Sequence, residues 1–177
     1  MKARRTAVVI GALVVAALTG CSLGPGEVAR VEGHTITEAQ LDGVLDELGP
    51  LLANSSRVAV LGALVQSEAL LMLGEVYDVE VTDEEAGEFL DDLSVKVGAE
   101  PREWGPGALA IAKAEQVGQT VFASPDAEEA QMTFEFIRSE LDVTVSPRYG
   151  EYDPASGGIA QVQPDWIVVP GAGEPVG

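Results

Sequence analysis

Residues 28–45 read VARVEGHTITEAQLDGVL, and this stretch decides the architecture. Val28-Ala29-Arg30-Val31 alternates as a short strand, Glu32-Gly33 supplies a two-residue turn, and His34-Thr35-Ile36 returns as a second strand. Thr37 then opens a capping box with Gln40, three residues on. The helix behind it places Leu41, Val44, Leu45 and Leu48 on one face, and Gly49-Pro50 stops it. A ribbon that runs straight into a capped amphipathic helix needs further helices to cover the apolar face.

The chain downstream supplies them. Asn54 or Ser55 caps a helix expected over residues 57–77, apolar nearly all round and therefore the central core helix. Thr82 and Glu85 make a second capping box. Its helix carries Ala86, Phe89, Leu90, Leu93 and Val97 as a stripe, against Glu84, Glu88, Asp91 and Asp92, and Gly98 closes it. Residues 101–107 form a loop containing Trp104, and a fourth helix is expected over 108–123 with Ala110, Ala114, Val117 and Val121 inward. Ser124-Pro125 reads as an N-cap followed by proline at the first helical position. The fifth helix then runs to Leu141 with Ala130, Phe134, Ile137 and Leu141 in register. Val143-Thr144-Val145 is a closing strand. The expected fold is mostly α: about five helices, with a small two- or three-stranded antiparallel ribbon joining the N- and C-terminal segments. Residues 153–177, rich in Gly and Pro, read as a largely disordered tail in which Trp166-Ile167-Val168-Val169 is the segment able to dock.

Working back towards the start, residues 22–27 are a short Gly/Pro tether, and before them lies a targeting signal. Lys2, Arg4 and Arg5 precede the apolar run of residues 6–17, and Leu18-Thr19-Gly20-Cys21 closes the segment. The run is shorter than the roughly twenty residues of a membrane helix, and the sequence is expected to hold no second such stretch. LTGC resembles the bacterial lipobox. That resemblance implies cleavage between Gly20 and Cys21 and attachment of diacylglycerol, with an N-acyl chain, to Cys21. Two or more acyl chains hold a protein on a membrane durably, at about 0.8 kcal/mol per buried methylene. Export by a Sec-type or Tat-type route would place the protein on the outer face of the cell membrane. Cys21 is the sole cysteine, which excludes a disulfide framework and a thiolate zinc site.

Removing residues 1–20 leaves 157 residues, enough for one domain with its own core. The signal holds three of the ten basic residues and none of the twenty-nine acidic ones, so the mature chain carries seven against twenty-nine, a net charge near −22. Such a surface repels nucleic acid and anionic headgroups, leaving the lipid as the membrane contact.

No catalytic set assembles. His34 is the lone histidine and sits beside a turn, where a surface position without a role is expected. Asp83-Glu84-Glu85 and Asp91-Asp92 lack the alternating ligands and mid-loop glycine of a calcium loop. Gly105-Pro106-Gly107 does not follow a strand as a phosphate loop would. No enzyme activity, metal or cofactor beyond the lipid is expected. One feature departs from a simple core: Met132 and Phe136 lie half a turn from the fifth helix's apolar stripe, among Glu128, Glu129, Ser139 and Glu140. They are either covered by another helix or by the Trp166 segment, or they form an apolar ledge for a polypeptide.

VARVEGHTITEAQLDGVL resembles the opening of the SurA/PrsA/PpiD group of extracytoplasmic chaperones, with Glu32 where that group usually has asparagine. VTVSPRYGEYD (residues 143–153) looks like the returning strand of small actinobacterial lipoproteins of this type. The resemblance spans about residues 28–152 and implies their N-terminal chaperone domain. After Pro147 only thirty residues remain, too few for the parvulin domain of about ninety residues, so isomerase activity is not implied. The resemblance implies ATP-independent binding of unfolded or exported polypeptides; Trp104, Met132 and Phe136 are the candidate contacts, on pattern alone. The alternative is an adaptor or structural lipoprotein serving one dedicated envelope partner.

Overall fold

The computed structural model describes residues 23–52 and 55–160. Gly20, Cys21, the Trp166 segment and Asn54 lie outside the described residues.

Strands β1 (Glu27–Val31) and β2 (His34–Thr37) form the expected hairpin, with Val31 opposite His34. Both turn residues have positive φ, 48° at Glu32 and 81° at Gly33, as a two-residue primed turn demands. Glycine meets this without strain, whereas Glu32 adopts a conformation unusual for a side chain with a Cβ. Its carboxylate has a compensating contact: the Asp142 N–H donates to Glu32 Oε1 at 2.8 Å, and the Glu32 N–H donates to the Asp142 carbonyl at 3.0 Å. These bonds bring β3 (Val143–Val145) alongside β1, giving a three-stranded antiparallel sheet in the order β2-β1-β3. The ribbon thus joins the two ends of the fold.

Helix α1 (Glu38–Leu48) starts at the Thr37–Gln40 capping box and buries Leu41, Val44 and Leu48. Gly49-Pro50 does not end the spiral at once; a 3₁₀ turn continues over Gly49–Leu51. Helix α2 (Arg57–Val76) is capped by Ser56, whose Oγ accepts the Ala59 N–H at 3.2 Å. The cap thus falls one residue beyond Ser55. By length and composition α2 is apolar enough to cross a membrane, contrary to the expectation that no stretch beyond the signal is. Here it is the central helix of the core, packed on the fourth and fifth helices and on the last strand. Val60, Leu61, Val65 and Leu73 are fully or almost fully buried, each stabilising the fold by about 1.5–3 kcal/mol.

Helix α3 (Asp83–Val97) begins at the Thr82–Glu85 box and ends at Gly98 in the left-handed region. Its buried line is Ala86, Leu90 and Ser94, while Val97, expected in the stripe, is exposed. Val97 lies on the same side as Ala86 and Leu90 but is the last residue of the helix, and the buried Ser94 hydroxyl donates to the Leu90 carbonyl at 2.9 Å. Helix α4 (Pro106–Phe122) begins two residues earlier than the sequence suggests, because the fixed φ of Pro106 suits the first helical position. Gly107 lies against Leu64 and Gly118 against Leu70, so α4 runs beside α2 in the same direction.

Helix α5 (Ala127–Glu140) begins later than expected. Ser124 does not cap it. Its Oγ accepts the Asp126 N–H at 3.3 Å and its carbonyl the Ala127 N–H at 3.2 Å, a tight turn that delays the helix. After β3 the chain forms a hairpin of β4 (Glu151–Asp153) and β5 (Gly158–Ala160). Residues 153–160, assigned to a disordered tail from sequence, are therefore folded. The Tyr152 hydroxyl donates to the Arg138 carbonyl at 3.3 Å, Asp153 closes the turn through Ser156 and Ala155, and β5 lies against α2.

Candidate functional site

The fifth helix divides cleanly into two faces. Inward, Ala130 and Phe134 are buried and Ile137 is half-buried. The Phe134 ring meets Phe122 of α4 edge-on at 5.8 Å and carries the Arg138 guanidinium at 5.0 Å. This contact fixes the helix's rotation. Met132 and Phe136 then point directly away from the core, at 61% and 66% exposure. Being four residues apart, they lie one above the other on the helix surface. No described residue covers them, and the neighbouring Glu128, Glu129, Glu135 and Glu140 are exposed. The result is a narrow apolar ledge inside an acidic border.

Trp104 is not part of it. Its ring is half-buried against the core, and its Nε1–H donates to Asp91 Oδ1 of α3 at 2.8 Å. Arg102 sits 5.7 Å from the ring, and the next backbone N–H, of Gly105, donates to Glu47 Oε2 of α1 at 2.9 Å. Trp104 therefore fastens the loop between α3 and α4 to the bundle, whereas α5 packs on α2 and α4. His34 is exposed, with Nδ1 3.6 Å from Glu68 Oε2. Among the described residues no group of three or more His, Cys, Asp or Glu side chains is arranged to hold a metal.

The structure also contains a polar clasp with no counterpart in the sequence pattern. Arg57, at the first position of α2, pairs with Asp42 and Glu38 of α1, and its Nε donates to the Tyr149 hydroxyl at 3.2 Å. That hydroxyl donates in turn to Glu38 Oε2 at 2.9 Å, and Arg148 also pairs with Glu38. The hydrogen bond to Tyr149, and next the one to Asp42, raise the Arg57 pKa above its ordinary value. Tyr149 is buried, so the clasp joins α1, α2 and the chain after β3. Its partners are 92 and 111 residues apart, beyond the reach of any local motif.

No protein-family model, curated protein or solved structure matches this chain.

Proposed function

We propose that the protein is an extracytoplasmic lipoprotein, held on the outer face of the cell membrane by acyl chains on Cys21, that binds unfolded or exported polypeptides without ATP. The observation that carries the reading is the uncovered Met132/Phe136 pair on the outer face of α5. A flexible thioether beside an aromatic ring accommodates varied apolar side chains. The acidic border keeps the ledge soluble. The element order of hairpin, helices and returning strand also agrees with the resemblance to SurA-type chaperone domains. The lipid leaves the folded domain with no need of a membrane-facing surface.

The test is aggregation of several unrelated denatured proteins in the presence of the mature chain. Protection is expected, and Met132→Ser/Phe136→Ser is expected to abolish it while the unfolding free energy changes by no more than about 0.5 kcal/mol per substitution, as at other surface positions. A large fall in stability would show that the pair is buried by a segment of the chain. Protection of no client, together with stoichiometric binding of one envelope protein, would favour the adaptor reading. In cells, Cys21→Ser should abolish palmitate incorporation and release the protein from membranes.

A further inference from the structure

The C-terminal half of α2, the linker that follows it and α4 enclose an open cleft of about 530 Å³. It arises from one tight turn. Gly74 N- and C-terminal neighbours continue α2, yet the chain doubles back so closely that the Val79 N–H donates to the Gly74 carbonyl at 2.9 Å. A Cβ on Gly74 would lie 2.7 Å from the Val79 oxygen and 3.0 Å from Val117 Cγ1, so only glycine allows the linker to lie here. Beyond the turn, Asp78-Val79-Glu80-Val81 alternates. Val79 and Val81 are half-buried and join Leu71 and the buried Val117 as an apolar floor. Glu75, Asp78 and Glu80 stand exposed at the rim, and none has an ion-pair partner among the described residues. Lys113, the cation at the edge, is already paired with Asp83.

We propose that this cleft binds an extended polypeptide segment in which basic residues flank apolar ones. The volume falls in the range of about 300–1,000 Å³ typical of ligand sites. The floor offers apolar surface, and the rim offers three carboxylates without counter-charge on a strongly acidic protein. Cationic groups on either side of an apolar residue satisfy both, whereas an acidic segment would add like-charge repulsion. Basic-apolar segments are the complement of the surface itself. The cleft shares with the α5 ledge only the class of ligand. Either can fail alone.

The test is fluorescence anisotropy of a labelled ten-residue peptide of lysine, leucine and valine, titrated with the mature chain, beside the same peptide with glutamate for lysine. The lysine peptide is expected to bind and the glutamate peptide not. Glu75→Gln/Asp78→Asn/Glu80→Gln should weaken binding about tenfold, the combined scale of three exposed ion pairs. Asn at position 78 suits the positive φ of 58° there. Glu84→Gln/Glu88→Gln/Asp92→Asn makes the same charge change on the outer face of α3 and should leave binding unaltered. Leu71→Lys, which places a cation on the floor, should abolish it. Met132→Ser/Phe136→Ser should have no effect on this peptide, whatever it does to the protection assay. Equal losses in the two triple variants would reduce the attraction to net charge and overturn the proposal. So would unaltered binding in Leu71→Lys, or a loss confined to the ledge variant.

Discussion

The two halves of α2 are alike in composition and unlike in surroundings. At the N-terminal end Arg57 is held by Asp42, Glu38 and the Tyr149 hydroxyl, and Val60, Leu61, Leu64 and Val65 are buried behind it. At the C-terminal end Met72 and Val76 are 37% and 62% exposed, and Glu75 borders an open cleft. A helix apolar on every side is thus not covered on every side. The chain that carries Tyr149 closes over the first turn, whereas α4 packs on Leu70 and Gly74 of the second half and leaves the side that carries Met72 and Val76 open. Ala69 and Leu73 are fully buried, so the second half serves folding with one side and leaves the other available for binding.

The comparison breaks most readily at matched apolar positions. Leu61→Ala removes a fully buried side chain and is expected to cost about 2–5 kcal/mol, as core truncations do. Met72→Ala, on the same helix, removes a side chain that is partly in water and should cost less than about 1 kcal/mol. Urea unfolding of the two variants decides the matter. Equal losses would mean that the outer side of α2 at Met72 is as much part of the core as Leu61.

A smaller effect is expected at the clasp. Tyr149→Phe keeps the buried ring and removes the hydroxyl between Arg57 and Glu38. Hydrogen bonds to charged groups contribute about 1.5–3 kcal/mol, but Arg57 and Glu38 remain paired with each other, so the loss should be about 1–2 kcal/mol. The arrangement also predicts coupling. In a double-mutant cycle, Arg57→Ala and Tyr149→Phe should be non-additive by at least about 0.5 kcal/mol. At the other end of α2, Glu75→Gln should change stability by no more than about 0.5 kcal/mol. Additive effects at the clasp would show that its members act independently.

What the sequence made legible follows from the same contrast between local and distant contacts. The two capping boxes join residues three apart, and the β1–β2 hairpin closes over two residues, so each is written within one short window. The inward stripe of α5 was readable for the same reason, and with it the opposite placement of Met132 and Phe136. Whether another element covered that pair was not readable, since periodicity assigns a face and not its neighbour. Ser124-Pro125 misled because the serine side chain can serve a turn as well as a cap. The β4–β5 hairpin escaped notice because its strands are three residues long and flanked by Gly150 and Gly157, and it is held by α2 and by Tyr152 against α5. The cleft needed the Gly74–Val79 turn and α4 together, and neither alone announces it.

The smallest effect concerns the capping box that fixes the far side of the cleft linker. The Thr82 N–H and hydroxyl both donate to Glu85 Oε2 at 2.8 Å, while the Glu85 N–H donates to Thr82 Oγ1 at 3.3 Å. The Thr82 backbone bond, and next its hydroxyl bond, lower the Glu85 pKa below its ordinary value. A carboxyl whose folded pKa is depressed adds stability above its unfolded pKa, about 4.3 for glutamate, and loses it as pH falls through the folded value. Glu85→Ala should therefore melt below the wild type at pH 7, and the gap should narrow on acidification to pH 3. A gap that stays constant, or widens towards acid, would show that the charged carboxylate does not hold the start of α3. Because Thr82 follows Val81 directly, the same variant should also weaken binding of the lysine peptide at pH 7. Glu47→Gln on α1, an equal loss of one charge away from the linker, should not.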